Sequence, residues 1–188
     1  MFVGVFIVGR LHGKYSHLHQ FCSELGARGG RTEKISPLIN NYPLGFLFIL
    51  FGLYIISASG FSVALMFCGA LIIVHGVATW MAGYYPMDLD PYTKSPSHEC
   101  KLHTLAGGVM FISLFLAQLV MIVSGKVAYM PLAFKGFSVA CLVLSVAFNY
   151  LLVNAYKAHS GAGLYQRLAY GAQLFWLCGL SVVLFAAR

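Results

Sequence analysis

Five stretches of this chain stay apolar for about as long as a bilayer is thick, at residues 43–59, 61–83, 104–124, 136–156 and 168–187. A hydrocarbon core of about 30 Å takes about 20 apolar residues in helical form. Helices suit it because each satisfies its own backbone polar groups away from water. The composition agrees: of 188 residues, 60% are hydrophobic and 9% charged, with five carboxylates in all. A surface that faces water usually carries about 25% charged residues. Lipid is therefore the solvent for most of this surface. The chain reads as all-α, a polytopic transmembrane helical bundle of about six helices with a short first helix, forming one domain over 1–188.

The first helix is the irregular one. Residues 1–9 are apolar but make only about half a span, and Arg10, His12 and Lys14 follow directly. A cleaved signal peptide carries its basic residues ahead of the apolar run, the reverse of this order. Three readings remain: a short helix whose polar end is shielded by the bundle, a re-entrant segment, or a start misassigned within a longer helix. The first, continuing past Gly9, is favoured. Between the next two spans, Ser57-Ala58-Ser59-Gly60 predicts a tight turn and an antiparallel hairpin. Gly and Ser inside the spans allow helices to approach closely in lipid.

The net charge of +7 does not point to nucleic acid, because Lys and Arg lie between the apolar runs. With six crossings, the first, third and fifth connections share a face. They carry Arg10, Lys14, Arg28, Arg31, Lys34, Lys94, Lys101, Lys157 and Arg167, against Lys126, Lys135 and Arg188 on the other side. Basic residues favour the cytoplasmic side, which places the odd connections there and both termini outside. Of the five cysteines, Cys68, Cys141 and Cys178 lie in apolar runs and no CxxC pair occurs. Cys22 and Cys100 lie in connections that could bring them together.

The same parity gathers the chemistry. Glu24 and Glu33 lie in the first connection, Asp88, Asp90 and Glu99 in the third. His12, His17, His19, His98 and His103 lie there too, and His159 and Arg167 belong to the fifth. Loops are where polar residues can live, but that alone does not place them all on one side. Ser16-His17-Leu18-His19 and Asp88-Leu89-Asp90 each offer two ligands two residues apart, so His17, His19, Asp90 and His98 form a candidate set for zinc. Solvated loop histidines are the alternative, and no HExxH signature is present. A metal-free site would use a histidine base oriented by a carboxylate, with Ser16 or Ser23 as nucleophile. His75 and His103 sit on neighbouring spans as haem ligands would, but at unequal depth, which disfavours haem. Gln118, Asn149, Asn154 and Gln173 lie inside spans, where such groups hydrogen-bond between helices or line a path. Trp80, Tyr84, Tyr85, Tyr165 and Tyr170 fall near span ends, as an interfacial aromatic belt would.

Several phrases occur in a recognisable order: Tyr15-Ser16-His17, Ser23-Glu24-Leu25-Gly26-Ala27, Tyr85-Pro86-Met87-Asp88, His103-Thr104-Leu105-Ala106-Gly107-Gly108 and Gly163-Leu164-Tyr165-Gln166-Arg167-Leu168. Together they resemble the bacterial six-span family called domain of unknown function 998, over nearly the whole chain. The resemblance implies a six-helix bundle in a bacterial cytoplasmic membrane and marks Ser23, Glu24, Asp88, His103 and Arg167 as motif positions. A more remote similarity to the eukaryotic Frag1/DRAM/Sfk1 group, some members of which are tied to lipid remodelling of membrane anchors, points toward lipids.

The leading expectation is a lipid-modifying hydrolase or transferase acting at one headgroup interface. Asp88, His103, Glu24 and Ser23 would supply the catalytic groups, and Arg28 and Arg167 would hold a phosphate in bidentate fashion. Membrane lipids would be its partners. A small transporter or lipid-binding protein is the second expectation, with His75, Asn149 and Gln118 along its path. An accessory subunit of a larger membrane complex, or a homo-oligomer, is the third.

Overall fold

The computed structural model describes residues 1–125 and 130–186. Lys126, Ala187 and Arg188 lie outside them. Helices α1 (Phe2–His12), α2 (Ile35–Ile39), α3 (Asn41–Ser57), α4 (Val63–Tyr84), α5 (His98–Val123), α6 (Leu132–Lys157) and α7 (Ala162–Ala186) follow in order, with a 3-10 turn at Cys22–Gly26. Five helices are long and apolar enough to cross a membrane, α2 and α3 counting together as Ile35–Ser57. No strand occurs among the described residues. Large apolar side chains point outward along the helices, among them Leu47, Phe67, Val143 and Phe175, as lipid contact requires.

Three helices begin well before the apolar runs do. Ile35–Ser57 starts eight residues ahead of 43, and α5 and α7 each start six residues ahead of 104 and 168. Hydropathy reports where a helix meets lipid, not where its backbone starts to coil. At α5 the start is set by Ser97, whose Oγ accepts from Cys100 N at 3.1 Å. That N-cap satisfies one of the donors a helix start leaves open. Between α2 and α3 the helix is broken at Asn40. Pro43 has no N–H to give the Ile39 carbonyl, so the i to i−4 ladder is interrupted there.

Two seams organise the bundle. Helices α3 and α4 pack most extensively, through glycines spaced seven apart on both. A Cβ built on Gly52 would sit 2.5 Å from Gly69 O, and one on Gly69 would sit 2.7 Å from Gly52 O. Gly45 and Gly76 repeat the arrangement, each Cβ meeting the other's carbonyl oxygen at 2.7 Å. Spacing by seven keeps these residues on one face along a paired helix, and the missing side chains let the backbones touch. Helix α5 continues this tight group against α4, and α6 and α7 form a second tight pair. Between α5 and α6 the packing is much thinner.

The apolar core runs through the middle of the bundle, with Ile55, Leu65, Ile72, Leu114, Trp176 and Leu180 out of contact with solvent. Trp176 Nε1 donates to Ser138 Oγ at 2.9 Å, tying α7 to α6. Helix α1 does continue past Gly9, to His12, and is about 16 Å long at 1.5 Å per residue. Its polar end is shielded only in part: His12 is half-buried with Nδ1 out of solvent, whereas Arg10 is exposed and lies over the Phe6 ring. Val5 and Val8 instead seat the helix against Leu25 of the first connection.

Candidate functional site

The first, third and fifth connections interlock at one end of the bundle, as parity predicts. Arg28 N donates to Met87 O, Gly163 N to His19 O and Leu164 N to Leu18 O. Cys22 N donates to Gln166 Oε1 at 2.8 Å, and Tyr156 Oη to Pro91 O at 3.0 Å. Tyr92 stacks with both His159 and Tyr156, with ring centres 3.9 and 5.0 Å away.

Under this lid lies a cavity of about 540 Å³, within the range of sites that hold small ligands. Cys22, Ser23 and Gly26 lie at its loop end. Asn40 and Asn41 come from the α2–α3 junction, Thr79 and Gly83 from α4, and His103, Thr104, Gly107, Gly108 and Phe111 from α5. Asn149 of α6 and Gln166, Arg167, Tyr170 and Gln173 of α7 complete the wall. Gln173, about three turns into α7, is fully buried; its Nε2 donates to Phe111 O at 3.2 Å and its Oε1 has no partner.

Arg167 is the most connected group at the site. Its Nη1 donates to Gln20 O at 3.0 Å and to Gly163 O at 2.7 Å. Nη2 donates to Tyr15 Oη and reaches His17 Nδ1 at 3.5 Å. Gly163 is required beside it, since a Cβ there would lie 2.2 Å from Gln20 O. Burial pushes the Tyr15 phenol above its usual range, the nearby Cys22 adding to it and Arg167 opposing it. Burial also raises the Cys22 thiol, against the pull of Arg167. His17 is lowered by burial first, then by Arg167 and Arg10, so it favours its neutral form.

The expected site residues divide. Ser23, His103 and Arg167 line the cavity; Glu24, Asp88 and Arg28 do not. The Glu24 carboxylate accepts from Phe21 N at 2.7 Å and Gln20 Nε2 at 2.8 Å, closing the 3-10 turn on itself. Asp88 accepts from Ser97 N at 2.8 Å, and hydrogen bonding from Ser97 holds its carboxyl below the usual range. Arg28 is paired with Glu99 at 3.0 Å, which leaves it less free to take a phosphate than the sequence suggests. His103 Nδ1 lies 2.8 Å from Tyr85 O. A carbonyl can only accept, so that nitrogen carries the proton and Nε2 is left as the basic one.

His17, His19, Asp90 and His98 are not drawn into one ligand set. Among the described residues no group of three or more His, Cys, Asp or Glu is placed to hold a metal. His17 lies against Arg167 and the Tyr15 ring; Asp90 closes a local turn with Tyr92 N at 2.9 Å; His19 and His98 are exposed. Spacing of two along the chain placed ligands in pairs but could not bring the pairs together. Cys22 and Cys100 are free thiols, not a disulfide.

His75 is spoken for on both ring nitrogens, by Met110 O at 2.9 Å and Tyr170 Oη at 2.8 Å. It is fully buried and outside the cavity wall. Tyr170, placed in the aromatic belt by its position near a span end, instead turns inward to this bond and to the cavity. Asn40 and Asn41 escaped notice because they precede the apolar run. Their signal was the Asn-Asn-Tyr-Pro break, which reads as loop until α2 is seen continuing the span.

The family described as Protein of unknown function (DUF998) matches residues 1–183, and the chain belongs to that family. No curated protein and no solved structure matches it.

Proposed function

We propose that this DUF998 protein is a lipid-handling integral membrane protein, whose interfacial cavity receives the head of a membrane lipid while the acyl chains stay in the bilayer. The observation that carries the reading is the cavity itself. A space of about 540 Å³ lies among membrane-spanning helices and is edged by Arg167, Gln166, Asn40, Asn149 and Gln173. Polar walls at this depth are costly unless something satisfies them, and a lipid headgroup has the matching chemistry. The direct test is native mass spectrometry of the protein released from gentle detergent. Lipid retained by the wild type and lost when Gly107 and Gly108 are both changed to Leu supports the reading; a wild type that carries no lipid and takes none up refutes it.

Lipid modification is the finer version of this reading, and one observation favours it: Ser23 and His103 both line the cavity. His103 Nε2 would act as general base toward the Ser23 hydroxyl, with Tyr85 O holding the ring in the required tautomer. Ser23→Ala and His103→Gln should each leave an altered lipid composition in cells. Unchanged lipids in both variants would reduce the protein to a binder or carrier.

A further inference from the structure

The two parts of the cavity wall that differ most are Arg167 and the Gly107-Gly108 pair. Every oxygen that Arg167 meets is neutral: two backbone carbonyls and the Tyr15 hydroxyl. The one ion pair among the described residues, Arg28 with Glu99, lies elsewhere, and the Glu24 carboxylate is occupied by Phe21 N and Gln20 Nε2. No Asp or Glu lines the cavity. A guanidinium fixed in a half-buried wall without a counter-charge is costly, and an anionic ligand relieves that cost.

Gly107 and Gly108 are exposed and line the cavity, and a Cβ on either would meet nothing within 4 Å. They sit about 13 to 15 Å along α5 from His98, between Leu105 and Ile112, which face outward. Both lie within the apolar run that starts at Thr104, and the cavity they line also reaches Asn149 and Leu152 of α6, which packs only thinly on α5. Two missing side chains therefore open the cavity sideways to lipid. At the loop end, the Cys22–Gly26 turn and Gln166 stand across it.

We propose that the ligand is an anionic amphiphile that enters from the bilayer between α5 and α6, over Gly107 and Gly108, and brings its negative charge to Arg167. This rests on the lipid-handling reading and specifies its ligand and its route. Phosphate is the shared chemistry of such a head and of a free aqueous ion, and the route separates the two sources.

The test uses the full chain in detergent micelles, titrated with phosphatidylglycerol and phosphatidylcholine of identical acyl chains, and separately with inorganic phosphate. Phosphatidylglycerol should bind about tenfold tighter than phosphatidylcholine, whose choline cation offsets the charge of its phosphate. Arg167→Gln should erase that preference and Arg167→Lys should keep most of it. Gly108→Leu should weaken the anionic lipid about tenfold without lowering the thermal midpoint. Because Arg167 also ties the first connection to α7, its variants are scored only as the ratio between the two lipids. Equal binding of both lipids by the wild type overturns the charge assignment while leaving the lipid-handling reading intact. Phosphate binding as tight as the anionic lipid, and unmoved by Gly108→Leu, overturns the lateral route. If neither lipid binds, both readings fall together.

Discussion

The α3–α4 seam and the α5–α6 seam both depend on glycine, and they use it for opposite ends. At the first, Gly45, Gly52, Gly69 and Gly76 let two backbones meet, each glycine lying under the carbonyl of its opposite. At the second, Gly107 and Gly108 face empty space. A side chain is absent in one place so that helices can touch, and in the other so that they leave a gap. Sequence spacing separates the two cases: glycines at intervals of seven on both partners make a seam, and two adjacent glycines on one partner cannot.

The largest expected effect follows from the tight seam. Gly52→Ala and Gly69→Ala each drive a methyl into a backbone carbonyl, which cannot move alone. Each should destabilise by about 1–3 kcal/mol, the usual cost of overpacking, seen as a lower thermal midpoint in detergent. A raised midpoint would mean the α3–α4 contact is not as close as described.

Next comes Gln118 of α5, fully buried with no partner for either end of its amide among the described residues. Gln118→Leu has similar volume and should stabilise by about 1–3 kcal/mol, the desolvation cost of an unmet polar group. A loss of stability would show that the amide is paired in the membrane-embedded protein.

Smaller still is the open seam. Gly107→Ala and Gly108→Ala should change stability by no more than about 1 kcal/mol, and in the favourable direction, since alanine is the better helix former. Matching losses at Gly52 and Gly108 in the same unfolding assay would erase the distinction between the seams.

The smallest effect is a pH dependence at the loops. His17 has its basicity lowered on folding, so below its ordinary value near 6.5 the unfolded chain binds more protons than the folded one. Stability should therefore fall as pH drops from about 6.5 through the lowered value. His17→Gln should flatten that limb. Asp88, lowered in turn, contributes stability above its ordinary range that is lost only in more acidic solution.

The bundle was legible in the sequence because hydropathy and helix length answer to the same bilayer. Crossing parity also placed the polar connections together, and Ser23, His103 and Arg167 do meet at the cavity. What spacing could not convey was the tasks that consume polar groups locally. Glu24 is taken up by its own turn, Asp88 by Ser97 and Arg28 by Glu99, none of which leaves a pattern distinct from a catalytic residue. The described residues do not gather the expected metal set for a related reason: neighbours in sequence, His17 and His19, face different surroundings once the loop folds over α7. Asn40, Asn41 and Tyr170 went unseen as site residues because hydropathy assigned them to a boundary, where a helix in fact continues.

The glycine seam also has a consequence for how the protein is made. Helices α3 and α4 are neighbours in the chain, joined by a turn of a few residues, and their contact needs nothing from later sequence. They can pair as soon as both have entered the membrane, and α5 can join them, before α6 and α7 have been synthesised. Arg167, Tyr170 and Gln173 arrive with the last helix. The cavity is thus the last part of the molecule to exist, and a chain interrupted before α7 would keep its firmest joint yet have no site at all.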